Sequence, residues 1–331
     1  MALIFIEGFD TYNAAAQLSP GKWDILGGGP TFTTGRLGVN KCILLNANSD
    51  YVEKVVSNLG TFVVGVALKL SGSPAAQTIL EFYEGGVANL KLQVNTSRNL
   101  EVTNTAGTIV GTSTLALSVG VWYYVELKAV ISNTGSIVVK IDSNTEINAT
   151  SIDTMNSANA YIDNLRLRGN TAILSADDFY LLDTTTALNI DFLGDSRIDP
   201  FFPMGDNSIQ WTPSSGGTNF SDVDELIPDG DTTYVFSSTP GHIDLYNITD
   251  MPAGTGSVFG VQVVANARKM DAGTRSLKLK VKSGATTQTS ASKSLSTVYA
   301  NTITMFQDSD GAGTAWTKAL VDAAQIGIEV V

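Results

Sequence analysis

The chain has 331 residues, 43% of them hydrophobic and only 16% charged, with a formal net charge of −12. That length allows two domains of ordinary size or one large one, and the composition argues for a folded chain over a disordered one. The acidic balance argues against sequence-independent binding to nucleic acid or to an anionic membrane surface.

The opening "MALIFIEGFD" has a short apolar run with no basic residue before it. Leu3 to Ile6 therefore read as a first strand rather than a leader. No apolar run approaches the roughly 20 residues of a membrane helix, so no membrane insertion is expected. The run from Gly27 to Gly29, followed by Pro30, reads as a loop, because no strand-to-helix context supports phosphate binding. Cys42 is the only cysteine. No disulfide can form within the chain, which suits synthesis in a reducing cytoplasm, and its apolar setting "NKCILLNA" reads as core.

Strand signals then recur every ten residues or so. "SDYVEKVVSNL" has some helical character, but "GTFVVGVALKL" reads as a strand buried on both faces. Leu90, Leu92 and Val94 alternate with Lys91 and Gln93; after a turn, Leu100 and Val102 alternate with Glu101 and Thr103. Residues 121–147 predict a hairpin. Val125, Leu127, Ala129 and Ile131 share one face with Tyr123, and Trp122, Tyr124, Glu126 and Lys128 share the other. Ile137, Val139 and Ile141 face inward on the return strand, after an Asn-Thr-Gly turn. "DDFYLLD" predicts a closing strand.

The texture then changes. Five of the nine prolines (Pro200, Pro203, Pro213, Pro228 and Pro240) fall in the next stretch, which predicts coil or short edge strands. The expected boundary follows residue 188, giving domains 1–188 and 189–331. In "RSLKLKVKSG", Leu277, Leu279 and Val281 point inward, and the lysines between them read as the guard of an exposed strand. "TKALVDAAQI" has helical character. The expected architecture is mostly β, with two antiparallel sandwich domains.

"VGVWYYVELKAVISNTGSIVVKID" followed by "DDFYLLD" resembles the concanavalin A-like, laminin-G-like jelly roll, over roughly residues 1 to 185. The fold hosts lectins, glycanases and assembly modules, so it does not fix a function. A second resemblance runs from end to end. "IEGFDTYNAAAQLSPGKWD", "LEFYEGGVANLKLQVNTSRNLEV", "NIDFLGDSRID", "DGDTTYVFSS" and "GTAWTKALVDAAQIGIEV" look like a family of tailed-bacteriophage virion proteins. That resemblance implies a structural component of the particle (capsid decoration, or a tail, collar or fibre part) made in the host cytoplasm. It implies partners among other virion proteins and copies of the chain itself, and neither enzymatic activity nor a cofactor. The alternative is a tail-associated adhesin for host surface glycans; a glycanase comes third.

Candidate chemistry is sparse. Jelly-roll glucanases carry Glu-x-Asp-x-x-Glu on one strand, because hydrolysis needs two carboxylates about 5–10 Å apart. Here the strand offers Glu126 alone, and Glu81 with Glu84 reads as a solvated hairpin end beside Gly85 and Gly86. His242 is the only histidine, which argues against Ser-His-Asp and Cys-His sites. Asp222, Asp224, Glu225, Asp229 and Asp231, and likewise Asp308 and Asp310, read as turn residues, not metal ligands. Trp23, Trp211 and Trp316 lie beside Gly-, Ser- or Thr-rich stretches and are the candidate glycan contacts. Phe201, Phe202 and Met204 in "DPFFPM" are the candidate interface, because the flanking prolines keep the phenylalanines out of a central strand.

Overall fold

The computed structural model describes residues 3–38, 40–72, 76–169, 174–185, 187–254 and 256–331. The chain divides into two compact units, Met1–Ile198 and Asp199–Val331.

The first unit holds fifteen strands among its described residues. They are β1 (Leu3–Glu7), β2 (Ile25–Gly27), β3 (Thr31–Thr34), β4 (Lys41–Leu45), β5 (Tyr51–Leu59), β6 (Thr61–Leu70), β7 (Gln77–Glu84), β8 (Val87–Val94), β9 (Asn99–Asn104), β10 (Ile109–Ala116), β11 (Trp122–Val130), β12 (Gly135–Ile141), β13 (Asn144–Ile152), β14 (Ile162–Arg168) and β15 (Leu174–Leu182). They form two antiparallel sheets. One runs β13-β12-β11-β6-β15-β4-β3, with β1 paired to β15; the other runs β10-β9-β8-β7-β14-β5-β2. This is the expected jelly-roll sandwich. The strands supply apolar side chains to the layer between the sheets: Leu165 and Leu167, Phe82, Leu90 and Leu92, and Phe62, Val64 and Val66 are all buried.

The expected hairpin forms, with Val125 opposite Ile141, Leu127 opposite Val139 and Ala129 opposite Ile137. "SDYVEKVVSNL", by contrast, forms no helix, and its Tyr51–Leu59 part is the strand β5. Its β-branched valines and cross-strand partners on β14 override the local helical character.

At one side the two sheet edges meet. Glu146 on β13 accepts hydrogen bonds from the Thr114 and Leu115 amides of β10, at 2.9 and 3.0 Å, and from Thr114 Oγ1 at 2.7 Å. These are polar groups of an edge strand that the sheet itself leaves unused.

The second unit builds a six-stranded sheet and two short ribbons. Its strands are β16 (Pro203–Ser208), β17 (Thr212–Pro213), β18 (Val235–Phe236), β19 (Ile243–Ile248), β20 (Val261–Ala267), β21 (Ser276–Ser283), β22 (Thr286–Thr289), β23 (Lys293–Ser294), β24 (Ala300–Phe306) and β25 (Gln325–Val330). The sheet order is β16-β19-β25-β21-β22, with β23 also on β21, and β20 pairs with β24. Leu277, Leu279 and Val281 pack with Val263, Phe306 and Trp316 in the core between them. "TKALVDAAQI" forms a short helix, α1 (Lys318–Asp322), capped by the Thr317 side chain.

The lysines of β21 do not guard an exposed edge. The strand is paired on both sides, and Lys280 is buried against Glu329 at 2.6 Å. Phe201 packs against the core of its own unit. The ring is partly buried there. Phe202 is half-buried with its backbone bonded to Thr249, and Met204 is exposed.

Candidate functional site

The outer face of the seven-stranded sheet carries a charged row. On β14 the period of two that buries Leu165 and Leu167 turns Asn164, Arg166 and Arg168 outward. The same alternation turns Tyr51 and Glu53 out on β5, Glu81 and Tyr83 on β7, and Lys91 and Gln93 on β8. Strand pairing sets Arg166 opposite both Glu53 and Glu81, and Glu81 opposite Lys91. Charges of alternating sign thus cross four neighbouring strands, which is the stabilising arrangement for directly opposed side chains.

Arg166 anchors the row. Its Nη2 lies 2.7 Å from Glu53 Oε2, its Nη1 3.1 Å from the Tyr83 hydroxyl and 3.5 Å from Glu81. Asn164 Nδ2 donates to the other Glu53 oxygen at 2.8 Å. The guanidinium sits 4.1 Å from the Tyr51 ring centroid and 4.9 Å from that of Tyr83. Tyr51 in turn lies flat on Gly27 of β2, where a Cβ would fall 1.9 Å from its ring. The first glycine of the Gly-Gly-Gly-Pro run therefore makes room for an aromatic, a role the sequence reading did not assign. Burial works against the Arg166 charge, but Glu53, Tyr83 and Glu81 more than offset it and raise its pKa.

Glu81 is the second hub. Tyr83 Oη donates to it at 2.6 Å, Arg168 Nη1 approaches at 3.4 Å and Lys91 Nζ at 3.9 Å. It is buried, and so is not the solvated hairpin end that Gly85 and Gly86 suggested. Burial, then the bond to Glu81, pushes the Tyr83 phenol well above its ordinary value. Tyr83 therefore keeps its proton, donating to Glu81 while accepting from Arg166. Farther along, Glu101 accepts from Gln93 at 3.1 Å and from Asn95 at 2.7 Å. The carboxylates lie at the floor of this face, while the Arg168 and Lys91 side chains stand 36% and 43% exposed.

The outer face of the eight-stranded sheet is closed by the chain itself. Residues 191–198 cross it as a strap. Gly194 N donates to Glu126 at 2.9 Å, Leu193 N to the Tyr180 hydroxyl at 3.2 Å, and Ile198 N to Asp178 at 2.7 Å. Tyr180 donates to Glu126. Arg36 pairs with Asp178 and Asp195, and Lys128 with Asp191. Glu126 is consequently 1% exposed. The Tyr180 ring lies over Gly65 of β6, where a Cβ would be 2.1 Å from it. These anchors tie residues beyond 188 to the first unit, so the compact division falls at Ile198.

The remaining sequence candidates are dispersed. Trp23 is fully buried among Phe5, Phe9 and Phe179, and Trp316 is buried with its Nε1 donating to the Phe306 carbonyl. Neither ring can stack on a sugar. Trp211 is half-buried and donates to the His242 carbonyl. His242 Nδ1 lies 3.1 Å from Ser237 Oγ, but that oxygen accepts from Thr239 N as a local turn. Cys42 is buried, and burial, then the Asp177 charge, pushes its thiol up to about 12. Asp222, Asp229 and Asp310 accept bonds from neighbouring Ser or Thr residues.

No protein-family model matches the chain, and no curated protein matches it. Solved structures do. An endo-β-1,4-glucuronan lyase from the fungus Trichoderma reesei aligns over 55% of this chain and 98% of its own, at 14% identity and a TM-score of 0.40. A carbohydrate esterase from the Shiga toxin-encoding bacteriophage phi24B aligns over 55% and 98%, at 18% identity and a TM-score of 0.39. A sialidase from Trypanosoma rangeli aligns over 47% of this chain and 27% of its own, at 12% identity and a TM-score of 0.37. The expectation that the chain is not an enzyme is corrected here: structures it is similar to include carbohydrate-active enzymes, so the fold gives no ground for excluding activity. The missing carboxylate pair argues against one hydrolytic mechanism only.

Proposed function

We propose that the protein recognises glycans on the outer face of the seven-stranded sheet, and that it does so as a component of a bacteriophage particle. The observation that carries the glycan reading is the row from Glu53 to Lys91. It combines preorganised charge, two tyrosines and side-chain amides on rigid strands, with Arg168 and Lys91 standing into solvent. Rigid polar side chains on strands hold ligand groups more precisely than loops do. The virion setting rests on the end-to-end resemblance of the sequence. Among virion roles, an adhesin gives this face a ligand, whereas decoration of a capsid leaves it without one.

Glycan binding is tested by titrating a panel of bacterial surface polysaccharides into the purified chain and its Arg168→Ala variant. Binding that the substitution weakens supports the reading. A panel that yields no binder removes it. Mass spectrometry of purified particles tests the virion setting: the chain must be found there.

A further inference from the structure

We infer that the ligand of this face is an acidic glycan, one whose carboxylates are taken by Arg168 and Lys91. The inference rests on the glycan reading above and adds the chemical class. Glu81 has two oxygens, and four donor side chains converge on them. Tyr83 at 2.6 Å makes the one short bond. Arg166 lies at 3.5 Å, Arg168 at 3.4 Å and Lys91 at 3.9 Å, beyond the usual 2.7–3.2 Å range of such bonds, roughly speaking. Arg166 does not need Glu81, because Glu53 holds it. Arg168 and Lys91 have no such second carboxylate in these pairings. They flank Glu81 from opposite sides, and among the described residues Arg168 reaches besides it only the Asn48 carbonyl, at 3.3 Å.

An arginine has five N–H donors and an ammonium three, so most of the donor capacity of this pair is unspent. The two cations stand out over carboxylates that are themselves buried. The groups of this row that stand farthest into solvent are therefore cations, although the chain carries −12. Charge-assisted bonds to a carboxylate are the strongest contacts such groups make. A neutral glycan would leave them unmade. A nucleic acid would bring dense phosphate charge against an acidic chain that offers it, from this row, Arg168 and Lys91.

The test uses the full chain with alginate, polygalacturonate, hyaluronan and polysialic acid, each beside a carboxyl-reduced sample of the same backbone, and single-stranded DNA as a phosphate control. Calorimetry should show binding to at least one acidic polymer, about 10- to 100-fold weaker after carboxyl reduction and after Arg168→Ala with Lys91→Met. Both substituted residues are at the surface, and a melting curve checks that the variant folds. Equal binding of native and reduced polymers overturns the acidic class and leaves the glycan reading standing. DNA binding as tight as that of the acidic polymers overturns the commitment to a carboxylated ligand. Binding of no polymer in either form, while neutral polysaccharides also fail, overturns both readings.

Discussion

Arg166 donates twice to a single oxygen of Glu53, from Nε at 3.0 Å and from Nη2 at 2.7 Å. Glu53 is buried, and Asn164 satisfies its other oxygen. Removing the guanidinium strands a buried carboxylate. Arg166→Ala should lower stability toward the low end of the roughly 3–5 kcal/mol that breaking a buried pair costs, because the arginine is itself 23% exposed. Adding Glu53→Gln should recover part of that loss. Urea titrations of the two single variants and the double variant measure the coupling; strict additivity would mean the pair does not interact.

The flat seating of Tyr180 on Gly65 leaves no space for a methyl group. Gly65→Ala should cost about 1–3 kcal/mol through overpacking, and it should also loosen the strap, since Tyr180 bonds both Glu126 and Leu193. Hydrogen exchange of the Leu193 and Gly194 amides reads the second effect. Unchanged protection there would separate the ring from the strap.

The strap sets where the first unit can be cut. We expect residues 1–198 alone to melt cooperatively. A fragment ending at 188 loses the amides of Gly194 and Ile198 and the Asp195 carboxylate, and leaves Glu126 with fewer donors. It should melt several degrees lower, at about 1 kcal/mol or more per lost buried bond. Equal melting temperatures would show that the strap contributes nothing.

Asp177 has its pKa raised by burial first and by the adjacent Asp178 second, with Asp10 adding to the repulsion. Arg36 lies on the same cluster through its bond to Asp178. The folded chain therefore keeps a proton that the unfolded chain has released. Above about pH 4 the unfolded state binds fewer protons, so this contribution to stability falls as pH rises into neutrality. Melting temperatures from pH 5 to pH 8 should decline in the wild type, and less steeply in Asp177→Asn. Parallel curves would acquit Asp177.

Phe201 is partly buried, so Phe201→Ser should cost about 1 kcal/mol, below the roughly 1.5–3 kcal/mol of a fully buried ring, whereas Met204→Ser should change stability little. Thermal melts of both variants decide whether the burial is as complete as the packing implies.

Much of the sandwich was legible in the sequence because local alternation encodes it. The hairpin of β11 and β12 could be read residue by residue, down to which valines face in. The site was not legible, because it depends on which strands become neighbours. Glu53 and Arg166 are 113 residues apart, and only the placing of β14 between β5 and β7 joins them. A local signal did exist: "YVEK", "LEFYE" and "LRLR" each put charged or phenolic side chains at alternate positions of an otherwise apolar strand. Read singly, each is an ordinary solvated face. The same limit applies to Glu126, whose partners are Tyr180 and a strap that reads in the sequence as coil or short edge strands.

The carboxylate of Glu146 has a bearing on how the chain behaves in company. An unpaired strand edge is a template on which another molecule can add a strand. Glu146 occupies donors of β10 with a side chain of its own fold, and those bonds hold its pKa below the ordinary value. The plug is thus charged at neutral pH and is released only in acid, as pH falls through that lowered value. Crowding many copies together at neutral pH therefore carries little danger of edge-to-edge fibre growth at this seam, whereas acid below the ordinary carboxylate range would remove that protection.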